Sequence, residues 1–115
     1  MTNSDSKNCL FCKTSAKEIP SNIVLEGDDF VAIRDINPVA PTHILILPKN
    51  HYDNLSNAED AAELGRLFMV AKQLAEMENL KGYRVVVNNG REAGQTVDHL
   101  HIHVLGGRFL KWPPG

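Results

Sequence analysis

The sequence predicts an α+β domain, a five-stranded antiparallel sheet with one long helix. Three observations carry that reading. Five short segments, 21–26, 30–35, 43–47, 83–87 and 97–105, read as strands. One stretch, 57–79, keeps the spacing of an amphipathic helix. Strands and helix do not alternate strictly, which favours antiparallel pairing over a wound parallel sheet. At 115 residues the chain forms one domain, 1–115, with one modest core.

Taken in order, residues 1–7 are polar and read as a frayed end, before a turn at Cys9–Cys12. Strands 21–26 and 30–35 flank Gly27-Asp28-Asp29, a turn signal, and so predict a hairpin. The segment 37–42 holds two prolines and reads as a loop. His43–Leu47 is continuously apolar after its histidine, as a central, buried strand would be. Ser56 and Glu59 have capping-box spacing, which starts the helix near Asn57. Leu64, Leu67, Phe68, Ala71, Leu74 and Ala75 form its core stripe, and Gly82 is the expected terminator. The fourth strand leads into a loop, 88–96, with two glycines, and the fifth ends at Gly106-Gly107. Residues 108–115 form a tail.

Hydrophobic content of 43 % and charged content of 23 % are ordinary for a soluble globular protein. A net charge of −2 argues against general nucleic-acid binding, which needs a basic stripe. No apolar run approaches the roughly 20 residues of a membrane span. The N-terminus lacks a charged-then-apolar leader pattern, so the expectation is a cytoplasmic protein that does not engage membranes.

Three of the five histidines stand in His99-Leu100-His101-Ile102-His103. In a strand they would share one face, roughly 7 Å apart, with Leu100, Ile102 and Val104 on the other. The bland reading is a solvent face that happens to carry histidine. Such a concentration of imidazoles points instead to a site. A neutral imidazole attacks phosphorus or carbonyl carbon and leaves a labile intermediate for water to resolve. The central His101 is the candidate nucleophile, with His103 as oxyanion donor and proton shuttle. Gly90 and Gly94 let backbone N–H groups approach an anion, and Gln95 and Thr96 add donors, although two glycines between strands are by themselves a turn. Asn88 reads equally as a ribose or phosphate contact and as a turn cap. His43 reads as a buried hydrogen-bonding histidine or an orienter of the site.

Cys9 and Cys12 form a C-x₂-C half-site. Zinc, unliganded thiols and a disulfide all fit that spacing, and the sequence does not show that distant His51 and His99 meet the pair.

Gln95-Thr96-Val97-Asp98-His99-Leu100-His101-Ile102-His103-Val104-Leu105-Gly106-Gly107-Arg108 resembles the signature of the histidine triad (HIT) superfamily. The Gly-Gly-Arg continuation, the terminal Trp112-Pro113-Pro114-Gly115, Ala40-Pro41-Thr42-His43, Ile46-Leu47-Pro48-Lys49-Asn50-His51 and Arg34-Asp35-Ile36 resemble its Hint branch, so that the likeness runs from Cys9 to Gly115. The resemblance implies a HIT-like fold with a short N-terminal helix and a sheet continued across a homodimer. It implies a hydrolase of purine nucleoside 5′-phosphoramidates, including AMP on an amine or a lysine, working through nucleotidyl-histidine. It assigns His101 as nucleophile, His103 to the α-phosphate and His43 to proton-transfer support. Asp35 is implied on the ribose, Ile33 and Ile36 on the base, and Asn88, Gly94, Gln95 and Thr96 on the phosphate. Trp112 would reach the partner subunit's site. A structural zinc is implied on Cys9, Cys12, His51 and His99, with no catalytic metal or organic cofactor. Thr96 stands where many Hint proteins have serine, and Asp98 where an aromatic or apolar residue is common. The competing expectations are a catalytic metal held by the triad, a non-catalytic nucleotide-binding or zinc-supported interaction module, and a dinucleoside polyphosphate hydrolase of the same superfamily.

Overall fold

The computed structural model describes residues 9–115, so the stretch 1–7 read as frayed lies outside the described residues. The chain runs α1 (Leu10–Ser15), β1 (Ile23–Glu26), β2 (Phe30–Arg34), β3 (Thr42–Pro48), α2 (Ala61–Met77), β4 (Tyr83–Val86) and β5 (Ile102–Gly106). Single 3₁₀ turns lie at Leu55–Asn57 and Arg91–Ala93. The strands form one sheet in the order β1-β2-β3-β5-β4, with every neighbouring pair antiparallel. The predicted hairpin is present, closed by Gly27 N–H on Phe30 O at 3.0 Å. β3 is the central strand and is buried along its whole length.

Strand alternation sorts side chains to two faces. Ala32, Ile44, Ile46, Ile102 and Val104 pack against Leu67, Val70, Ala71 and Leu74 of α2. The residues between them, Val31, Ile33, Leu45 and Leu47, face the other way and meet Cys9 and Phe11. His43 and His103 alternate in step with this second set. The long helix therefore fills one face, and the histidines stand on the other.

Most strand ends shift by one or two residues from the sequence reading, and the boundaries of the helix and of β5 have identifiable causes. α2 starts at Ala61, because Asp60 Oδ1 accepts the N–H groups of Ala62 and Glu63 at 3.0 and 3.2 Å. Ser56 instead lies in a 3₁₀ turn. The helix ends before Gly82: Asn79 takes a left-handed φ of 56°, and the N–H groups of Asn79 and Leu80 return to Glu76 O and Ala75 O. That is a Schellman closure with asparagine in the glycine position. Phe68, placed in the core stripe by spacing, is 43 % exposed, and Val70 packs inward. β5 begins at Ile102, where pairing with β3 starts. Before it, Leu100 N–H donates to Tyr52 O at 2.7 Å, beyond the end of β3. His99 and His101 thus precede the strand, although Leu100, Ile102 and Val104 all enter the core as expected.

Candidate active site and metal centre

The approach segment to β5 delivers His99 and His101 to two adjoining sites, and β5 itself delivers His103. His99 is fully buried and His101 nearly so, which overturns the solvent-face reading of the triad.

On one side His99 meets Cys9, Cys12 and His51. Cys9 caps α1, its Sγ accepting the Cys12 N–H at 3.3 Å, so one helical turn sets both sulfurs side by side. His99 Nδ1 lies 3.2 Å from Cys9 Sγ and 3.4 Å from Cys12 Sγ, and His51 Nδ1 lies 3.3 Å from Cys12 Sγ. All four donor atoms fall within 4.8 Å of one another. Zinc with Zn–S near 2.3 Å and Zn–N near 2.0 Å in a tetrahedron would space sulfur and nitrogen roughly 3.5 Å apart. The ring tautomers fit as well. His99 Nε2–H donates to Pro48 O at 2.9 Å, and His51 Nε2–H to Asp53 Oδ1 at 2.7 Å. Each ring therefore turns an Nδ1 lone pair towards the sulfurs, the outer hydrogen bond orienting the ligand. Burial lowers the His99 pKa to about 4, which keeps that lone pair available. Two thiolates and two neutral imidazoles make a closed, four-ligand site for structural zinc, with no position left open for catalysis.

On the other side lies the second group. His101 Nδ1–H donates to His99 O at 2.7 Å, so its Nε2 carries the lone pair. Val39 N–H donates to His43 Nδ1 at 3.1 Å, which places the His43 proton on Nε2. That proton faces His103 Nδ1 at 2.9 Å, with Asp35 Oδ2 at 3.4 Å. His103 must then carry its proton on Nε2, and that atom is buried with no hydrogen-bond partner among the described residues. The His101 and His103 rings lie 5.0 Å apart. The outcome is a lone pair beside an N–H donor. Burial lowers the pKa of His101 and His43, and of His103 to about 4, where the His101 and His43 rings add to the effect. Asp35 opposes it at all three. All three rings are therefore neutral near pH 7. Asp35, His43 and His103 also lie close enough to hold a metal ion. The proton that Val39 forces onto His43 Nε2 disfavours that use.

Both His101 and His103 line a cleft bounded by Phe11, Ile33, Asp35, Ile36 and Thr96. The predicted base-side and ribose-side residues thus meet the histidines across the sheet. Asp35 Oδ1 is held by Asn37 N–H at 2.8 Å. Asn88, Gly94 and Gln95 stand outside the wall of this cleft. Gln95 is buried, its Oε1 accepting Gly90 N–H while its Nε2 donates to Asp53 O and Val97 O. Its amide is spent on shaping the loop, whose Gly90 and Gly94 adopt φ of 90° and 95°. Asp98 pairs with Arg91 at 3.2 Å on the surface of the same loop. Trp112 is 77 % exposed and stands outside the wall of the cleft, with the Arg84 guanidinium 5.8 Å from its ring.

Asp53, the Pro48 carbonyl, the Val39 N–H and Phe11 escaped the sequence reading. Two are backbone groups with no residue signal. Asp53 carries only its position two residues after His51.

A family model described as HIT domain matches residues 16–110, and the chain belongs to the HIT family. Among particular relatives, the chain is 50 % identical over 117 residues to a 14 kDa zinc-binding protein of Zea mays, covering 96 % of this chain and 91 % of that one. The crystal structure of a HIT family hydrolase from Legionella pneumophila superposes with a TM-score of 0.92 at 46 % identity, covering 94 % of this chain and 100 % of that one. A histidine triad nucleotide-binding protein from Candida albicans superposes with a TM-score of 0.79 at 36 % identity, covering 92 % and 83 %. These matches agree with the α+β fold and with zinc at the cysteine–histidine cluster.

Proposed function

We propose that this HIT protein is a nucleotide-binding hydrolase that cleaves the P–N bond of purine nucleoside 5′-phosphoramidates, AMP on an amine or a lysine, and releases AMP. The observation that carries the reading is the pairing of His101 Nε2, a lone pair on a cleft-lining ring, with His103 Nε2–H, a buried donor. One group is suited to attack phosphorus and the other to bind its non-bridging oxygen. The apolar Ile33 and Ile36 and the carboxylate of Asp35 give the cleft the character of a nucleoside site. The hydrolase and nucleotide-binding names of the Legionella and Candida relatives support the same class.

In this reading the His101 lone pair forms a bond to phosphorus as the bond to the amine nitrogen breaks. Water then displaces the imidazole. Overall, water supplies the hydroxyl that ends on phosphorus and the proton that ends on the amine. His43 holds His103 in the donor tautomer throughout the approach to the transition state. Thr96, on the cleft wall, offers a hydroxyl to the phosphate, and Asn88 and Gly94 serve the surrounding loop. Zinc has no part in the bond changes, because its four ligands leave no open position.

The functional unit in this reading is a homodimer in the cytoplasm. β4 is an edge strand, and Tyr83, Phe109 and Trp112 are exposed beside it. A second copy laid along β4 would cover them and carry Trp112 towards its neighbour's cleft. The solution mass, by light scattering, tests the dimer directly.

The deciding assay is AMP release from adenosine 5′-phosphoramidate, by wild type and His101→Ala, each with and without a chelator. Activity that survives chelation in folded protein and vanishes in the variant is expected. A fully active His101→Ala would remove the nucleophile. AMP binding without turnover in any sample would favour a binding module.

A further inference from the structure

α1 has six residues, too few to persist as an isolated helix. Its first turn carries two metal ligands, Cys9 and Cys12, and between them stands Phe11. Phe11 is buried among Val31, Ile33, Leu45 and Leu47. Its ring meets His101 edge-on, with centroids 5.0 Å apart and planes at 77°. It also meets the metal ligand His99, at 6.0 Å and 81°. Leu10, Phe11 and Thr14 of this helix form one wall of the cleft that holds His101 and His103. The Cys9–Cys12 turn therefore belongs to both sites. One end of its contacts is the zinc cluster, and the other is the nucleophile and the nucleotide wall.

We propose that zinc at Cys9, Cys12, His51 and His99 and a nucleotide in the adjoining cleft bind cooperatively through α1, with Phe11 as the positioning residue between them. The inference rests on reading the cleft as a nucleotide site. Ordering a short helix costs conformational entropy. Whichever ligand binds first bears that cost, and the second binds to a wall already in place. Linkage makes the effect reciprocal, and couplings of this kind commonly amount to 5- to 150-fold. The metal is thus more than a staple for the fold: its occupancy sets nucleotide affinity.

The test is zinc affinity of the full chain, by competition with a chromophoric chelator, with and without saturating AMP. AMP affinity is measured by calorimetry in loaded and zinc-stripped protein. AMP should tighten zinc about tenfold, and zinc should tighten AMP by the same factor. In Phe11→Ala one zinc per chain is retained and the factor falls to about one, whereas Phe11→Leu keeps part of it. If the stripped chain unfolds, the rate of zinc loss from loaded protein decides. AMP should slow it about tenfold in wild type and leave it unchanged in Phe11→Ala. Zinc affinity or release indifferent to bound AMP in wild type would overturn the coupling alone. A Phe11→Ala protein with wild-type coupling would remove Phe11 from it. Failure of AMP to bind the loaded wild type would overturn both this inference and the nucleotide reading.

Discussion

At His101 the ring tautomer is set by a hydrogen bond to the neighbouring metal ligand: Nδ1–H is held on His99 O at 2.7 Å, so Nε2 carries the lone pair. His43 does the same for its neighbour, with its own tautomer imposed by Val39 N–H. His101→Ala should therefore abolish phosphoramidate turnover while AMP still binds, as read by calorimetry. His43→Ala releases the His103 tautomer and should lower kcat on the order of 10²-fold, with a smaller change in KM. Burial also links these rings to stability. The pKa of His103 falls to about 4 and that of His43 falls below its ordinary value, whereas the unfolded chain titrates near 6.5. Below that value the unfolded state takes up more protons than the folded one. Their contribution is fully present above about pH 6.5 and is lost as pH falls towards 4. Urea midpoints should accordingly drop across that window, and less steeply in a His43→Gln protein.

At the scale of elements, α2 shows how local signals compete. The expected capping box at Ser56 and Glu59 yields to Asp60, whose carboxylate satisfies two N–H groups at the true start. Replacing Asp60 with alanine should cost about 1 kcal/mol by chemical denaturation. Ser56 is drawn away by Asn89 Oδ1, which accepts its backbone N–H at 2.9 Å and its hydroxyl at 3.2 Å. That partner is 33 residues distant, and spacing carries no trace of it. On the buried face, Leu74 is fully enclosed between α2 and the sheet. Leu74→Ala should cost about 2–5 kcal/mol, the usual range for a cavity left in a core. β5 shows the same competition. Period-two alternation runs from His99 to Val104, but pairing with β3 starts only at Ile102, and the Leu100 N–H is taken by Tyr52 O instead.

Across the whole molecule, the sheet separates two tasks. One face is closed by α2, and the other carries the histidines, the cleft and the short helix that joins cleft to metal. Among the described residues no helix is long and apolar enough to cross a membrane. Zinc bound only by the folded state stabilises it by mass action. Purified protein never exposed to chelator should carry one zinc per chain by elemental analysis. Chelation should lower its Tm by several degrees, since each loss of about 1 kcal/mol shifts a domain of this size by roughly 4 °C. An unchanged Tm after complete removal would deny the cluster a structural role.

The sequence by itself determined the α+β class, the central place of β3, the core face of the triad segment and the residue types at both sites. It could do so because alternation, turn residues and metal-ligand chemistry are local properties, carried by neighbours in the chain. Tertiary structure alone decided that His51 and His99 meet the cysteine pair, and which nitrogen of each ring bears the proton. It also decided that Gln95 serves the loop and that Phe11 lies between His99 and His101. Those outcomes depend on Pro48 O, Asp53, Val39 N–H and the face of a central strand. Each is a partner brought close by folding, and a hydrogen bond or a ring contact exists only once both of its halves are in place.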